Sequence, residues 1–280
     1  MAGLVKKFLA SASVVAGMSA VFGAPAMAAT FSPIGTDLIL REQVGTGFEV
    51  TNDLTQLNSI LQGDSSNPGG NVELGSSDTG GNPLAGVEAD NIQGGPATFT
   101  NVTENIYNDV TWQQTVGSEW FDDAWAQTAL ASSTSFRNTA YGIFISNGGF
   151  DLISDPNISY INEVGDDIVV GLAGHFNLAD RFRNVNPMLA SFLEGVQMSE
   201  IFAYEVNGVI GYGWSDSATA SGLADSDAAG SFSGNYEVYI DGITGEVLPE
   251  PPAATPEPST LLGLMAIGGL VAATKRKSAN

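Results

Sequence analysis

The basic residues of this chain sit almost entirely at its two ends, and that segregation decides what can fold. Lys6 and Lys7 open the chain and Lys275, Arg276 and Lys277 close it, leaving only Arg41, Arg137, Arg181 and Arg183 between. Each basic end adjoins an uncharged apolar run, so the folded body must be built from the roughly 220 residues in between, within the size of one large domain. Residues 30–254 carry 30 acidic side chains against four arginines, a net of −26. A field of that sign repels phosphate backbones and anionic lipid, and it excludes nucleic-acid binding through a basic surface. The chain has no cysteine, which removes disulfides, thiol nucleophiles, iron–sulfur clusters and thiolate zinc sites.

The N-terminal run reads as a secretory signal peptide over residues 1–28. Phe8 to Phe22 is its apolar region, and Ala26-Met27-Ala28 places small side chains at the two positions a signal peptidase pocket reads. Cleavage is expected after Ala28, with Ala26 and Ala28 as the recognised residues. A mature body over 29–248 is then exposed outside the cytoplasm.

Five of the ten residues from Pro249 to Pro258 are proline, a composition that favours an extended, solvated spacer over 249–259. Behind it stand Pro256-Glu257-Pro258-Ser259, an apolar stretch from Leu261 to Ala273, and the basic stop Lys275-Arg276-Lys277. As a helix, the stretch would span roughly 20–23 Å, short of the ~30 Å hydrocarbon core. Its positive end would stay on the cytoplasmic side and leave the body outside.

This order of elements resembles the PEP-CTERM sorting signal of Gram-negative bacteria, including cyanobacteria. The resemblance implies that residues 260–280 are a temporary handle in the inner membrane, that an exosortase cuts near Pro256–Ser259, and that the product reaches the cell surface, the medium or the exopolysaccharide matrix. The body is similar to a group of cyanobacterial proteins with this tail, through Gly148-Gly149-Phe150 to Ser154-Asp155-Pro156-Asn157-Ile158-Ser159-Tyr160 and through Gly234-Asn235-Tyr236-Glu237-Val238. That likeness implies no active-site residues.

Within the body, residues 62–97 hold nine glycines and three prolines and are expected to be mostly turns and loops joining short strands. Strands are expected at 37–40, 47–50 and 97–102. Ser118 is expected to cap a helix carrying Trp120, Phe121, Ala124, Trp125 and Leu130 at helical spacing. A second helix is predicted over 134–146, with Phe136, Ala140, Ile143 and Phe144 on one face and Gly148 as its left-handed stop. Strands 158–164 and 168–173 pair across Gly165-Asp166-Asp167, and Asn186-Pro187 opens a short helix. Strands 201–206 and 209–214 flank Asn207-Gly208, the dipeptide of a type I′ hairpin, and a last strand covers 236–240. The sum is an α+β body, an antiparallel sheet with two or three amphipathic helices.

Chemistry is sparse. His175 is the single histidine, so two-histidine metal motifs are excluded and a Ser-His-Asp device would have to use it without a Gly-x-Ser-x-Gly elbow. The acidic pairs Asp122/Asp123 and Asp166/Asp167 diverge on a helix or strand and read as solvated surface. Trp120 and Trp125 share the apolar stripe and read as core, with sugar stacking as the alternative. No cofactor is expected, calcium excepted: Asp225, Asp227 and Gly230 match positions 1, 3 and 6 of a calcium loop, while Ala229 and Tyr236 break positions 5 and 12. The expectation is an exported, non-catalytic surface or matrix protein; the alternatives are a secreted carbohydrate-active hydrolase and a sugar- or calcium-binding module.

Overall fold

A computed structural model describes residues 29–249, apart from 46, 52, 66–67, 76–81 and 222–231. Thirteen strands are present among them: β1 Thr30–Ile34, β2 Leu38–Val44, β3 Gly47–Thr51, β4 Gly70–Leu74, β5 Gly86–Ile92, β6 Gly95–Thr100, β7 Asn157–Val164, β8 Asp167–Gly174, β9 Phe202–Val206, β10 Val209–Gly213, β11 Ala218–Ala220, β12 Gly234–Asp241 and β13 Val247–Leu248. The helices are α1 Leu57–Leu61, α2 Glu104–Tyr107, α3 Val110–Gln114, α4 Val116–Ala126, α5 Thr134–Ser146, α6 Ala179–Phe182 and α7 Pro187–Phe192.

The expected α+β class with antiparallel pairing is what forms, as two sheets. One has the order β1-β5-β6-β9-β10; the other runs β11-β12-β8-β7-β4-β2-β3, with β13 pairing the β12 edge beside β11. Alternation supplies the faces. Val72 and Leu74, Val87 and Ala89, Tyr204 and Val206, and Val238 and Ile240 are buried at every second position, whereas β8 is buried on both faces from Ile168 to Gly174. Side chains from both sheets meet in one apolar cluster, with Phe99 and Phe202 at 6.3 Å between ring centroids and Leu57, Ile60 and Leu61 of α1 packed into it.

The helices α2 to α5 lie between β6 and β7 in the chain, and α6 and α7 between β8 and β9. Every one therefore interrupts a crossing from one sheet to the other. They build their own core around Trp120, Phe121, Phe144, Phe150, Phe182 and Leu189. Ring pairs such as Phe144–Phe150 at 4.8 Å and Trp112–Phe150 at 4.9 Å, both edge-on, hold it in the arrangement aromatic quadrupoles favour. The crossings are tied where they leave the sandwich, Val102 N–H donating to Ser154 O and Ile201 N–H to Ile153 O.

Local readings compare well in the second half of the body. α5 occupies residues 134–146, and Gly148 follows at φ +68°. Asn186 caps α7 by accepting from Leu189 N–H at 3.0 Å, and Asn207 and Gly208 take φ +53° and +78° between β9 and β10. Three details differ. α4 begins at Val116 rather than at Ser118, because α3 ends just before it at a kinked Thr115 (φ −111°, ψ −94°), and Ser118 lies inside the helix. It ends at Ala126, leaving Leu130 in the following turn. Phe136 is 52% exposed, since the packed side of α5 runs through Ala140 and Phe144. Residues 62–97 contain more strand than expected, β4, β5 and the start of β6, because a few apolar side chains at period two suffice when both neighbours are already in place.

Candidate functional site

Buried polar side chains concentrate where the crossings leave the sandwich. Asn82 Nδ2 donates to Val102 O at 3.1 Å and to Ser154 Oγ at 3.0 Å. Asn101 Nδ2 donates to Asn82 Oδ1 and Pro83 O while Asn101 Oδ1 accepts from Ala85 N–H. Trp120 Nε1 donates to Ser199 O at 3.0 Å, and Ser199 Oγ accepts from Ser215 N–H at 2.9 Å and donates to Glu200 O. These side chains satisfy backbone groups of chain that is in neither sheet nor helix, which buried irregular backbone requires.

A charged group adjoins this polar seam on β2 and β4. Arg41 Nη2 lies 2.6 Å from Glu73 Oε2, with both side chains mostly buried. The Arg41 guanidinium also stands 5.3 Å from the Phe232 ring centroid, a cation–π distance. Burial pushes the Glu73 carboxyl up to about 7; Arg41 opposes that rise, and the charges of Asp155 and Glu200 add to it. The ion pair and the raised value pull in opposite directions, and the loss of water outweighs the single contact. Asn157 Nδ2 lies 3.5 Å from Glu200 Oε2, and His175 Nε2 is 3.8 Å from Glu200 Oε1 with 1% of its surface exposed. Asn71, paired with Arg41 in register, is fully buried with neither side-chain polar atom hydrogen-bonded among the described residues.

Two of the open clefts among the described residues lie elsewhere. One of about 480 Å³ runs between α4 and α5 beside Ser118, Asp122, Trp125 and Arg137. Arg137 is committed there: Nε pairs with Asp122 at 2.6 Å, Nη2 donates to Ser118 O and Oγ, and the guanidinium lies 4.5 Å from the Tyr141 ring centroid. Burial lifts the Tyr141 hydroxyl to about 12. The other cleft, about 450 Å³, is lined mainly by Ala29, Phe31, Ile92, Ile161 and Val164, with Glu163 at its rim.

Trp120 and Trp125 are 0% and 3% exposed, inside the helical core. Ala26, Ala28, Asp225, Asp227, Pro256–Ser259 and Lys275–Lys277 lie outside the described residues. Among the described residues no group of three or more His, Cys, Asp or Glu could hold a metal ion, and no helix is long and apolar enough to cross a membrane. Sequence reasoning missed the Arg41–Glu73 pair and the Asn82–Asn101 clamp. The first was hidden because Arg41 follows the expected strand 37–40 and Glu73 falls in the stretch read as loops; the second because Asn82 in a glycine-rich stretch reads as turn and Asn101 falls within an expected strand.

The tail supplies the decisive comparison. A family model of the PEP-CTERM protein-sorting motif matches residues 254–277, spanning Pro256–Ser259 and Lys275–Lys277. The chain carries the PEP-CTERM sorting motif. It is thereby an exported protein sorted by an exosortase, extracytoplasmic after a membrane-anchored stage. The match covers the tail alone and leaves the folded body, residues 29–249, outside it. No curated protein and no solved structure matches the chain.

Proposed function

We propose that this PEP-CTERM protein is a non-catalytic component of the cell surface or of the exopolysaccharide matrix, delivered there by signal peptidase at one end and exosortase at the other. The observation that carries the reading is the sorting motif at residues 254–277, separated from the body by a proline-rich spacer. The body's chemistry-bearing side chains support it by being spent on the fold. Trp120 ties α4 to Ser199, Arg137 clamps α4 to α5, and His175 is buried beside Glu200. The acidic exterior suits a chain that must stay soluble and apart from anionic lipid after release.

Deleting residues 254–280 tests the delivery half: the body should still be exported and fold, and it should be lost from the surface fraction. Retention without the tail would contradict the reading. His175→Gln tests the other half, with surface retention expected to be unchanged. A hydrolytic activity on polysaccharide that disappears in this variant would replace the proposal with a secreted hydrolase.

A further inference from the structure

We propose that β10 is a self-association edge, through which two copies of this chain join their five-stranded sheets into one continuous antiparallel sheet. The proposal rests on the strand rather than on the sorting reading. Among the described residues β10 pairs only with β9, in a register that runs Val209↔Val206, Ile210↔Glu205, Gly211↔Tyr204, Tyr212↔Ala203 and Gly213↔Phe202. In a two-residue hairpin the residues that flank the turn exchange both hydrogen bonds, and alternate pairs repeat this. Val209, Gly211 and Gly213 are therefore bonded inward, and the N–H and C=O groups of Ile210 and Tyr212 point away from β9. Among the described residues no backbone or side-chain hydrogen bond reaches those outward groups.

The other edges are guarded in the ways that prevent such pairing. β1 carries Pro33, β3 carries Glu49, and β11 and β13 are three and two residues long. β10 reads Val-Ile-Gly-Tyr-Gly, without charge or proline, and Ile210 is 71% exposed. On a body of net charge −26, a neutral apolar edge with open backbone groups fits an occupant that is itself a neutral strand, and the second copy's β10 is one. Pairing about a two-fold at Gly211 sets Ile210 opposite Tyr212 of the other copy, twice, in hydrogen-bonded positions. Aliphatic–aromatic pairs across a ladder are favourable, and the isologous contact closes as a dimer.

Two bodies of like charge repel, so association should strengthen as salt screens them; the screening length falls from about 10 Å at 0.1 M to about 3 Å at 1 M. Sedimentation equilibrium of the mature exported chain at several NaCl concentrations is expected to give a monomer–dimer equilibrium with Kd falling as salt rises. Ile210→Lys, at an exposed position, should keep the thermal unfolding profile and raise Kd at least about tenfold. Amide hydrogen exchange should slow at the N–H groups of Ile210 and Tyr212 under conditions that favour the dimer, because the pairing bonds those groups across the two-fold. A chain that stays monomeric at about 1 mM in 1 M NaCl, an Ile210→Lys variant that associates as the parent does, or a dimer whose Ile210 and Tyr212 amides exchange as they do in the monomer would each overturn the proposal.

Discussion

Glu73 shows how one residue can set the pH response of a very acidic protein. Its carboxyl is raised from 4.5 to about 7 by burial, with Asp155 and Glu200 adding to the rise and Arg41 resisting it. The native state therefore holds this proton more tightly than the unfolded chain. The stability Glu73 contributes is fully present below pH 4.5 and is lost as pH rises to about 7. A shift of that size corresponds to roughly 3 kcal/mol. Denaturant unfolding of wild type and Glu73→Gln between pH 4 and 8 should show the wild type losing about that much more stability across the window, with the two curves parallel above it. Parallel curves throughout would mean that Glu73 ionises normally beside Arg41. Asn71 belongs to the same scale: a buried amide without partners costs about 1–3 kcal/mol, and no pattern in the sequence marks it.

Among the elements, hairpins and capped helices were legible where one local signal decided the outcome. Asn207-Gly208 fixed β9–β10, Asn186-Pro187 fixed the start of α7, and Gly148 closed α5. The turn at Gly208 is specified by conformation alone, so Gly208→Ala should destabilise the protein by about 1–2 kcal/mol, measured by chemical denaturation, without changing the spectrum of the folded state. An effect near zero would show that the hairpin register is held by Tyr204 and Val206 in the core instead. The division into two sheets was not legible, because partners such as β6 and β9, or β4 and β7, lie about a hundred residues apart. Such pairing is decided by which buried faces meet. The early strands hid for a related reason: β4 and β5 have two or three buried apolar side chains each among glycines and asparagines. The candidate site divided the same way, the sorting residues readable as a linear motif and the Arg41–Glu73 pair needing a β2–β4 register that no local rule supplies.

For the molecule as a whole, the governing quantities are the charge of the body and the proposed removal of its two ends. At net −26 the native state carries appreciable self-repulsion, and added salt should raise its melting temperature by screening. Sodium chloride and calcium chloride at matched ionic strength should act alike. A melting temperature clearly higher in calcium, abolished by Asp225→Asn with Asp227→Asn, would instead establish a specific site and favour a calcium-binding module. The central claim is that export and sorting shorten this chain at both ends, and intact-mass analysis of the protein recovered outside exosortase-bearing cells tests it most directly. The account predicts a species that begins at Ala29 and ends between Pro256 and Ser259; a recovered chain that still carries residues 260–280 would contradict it.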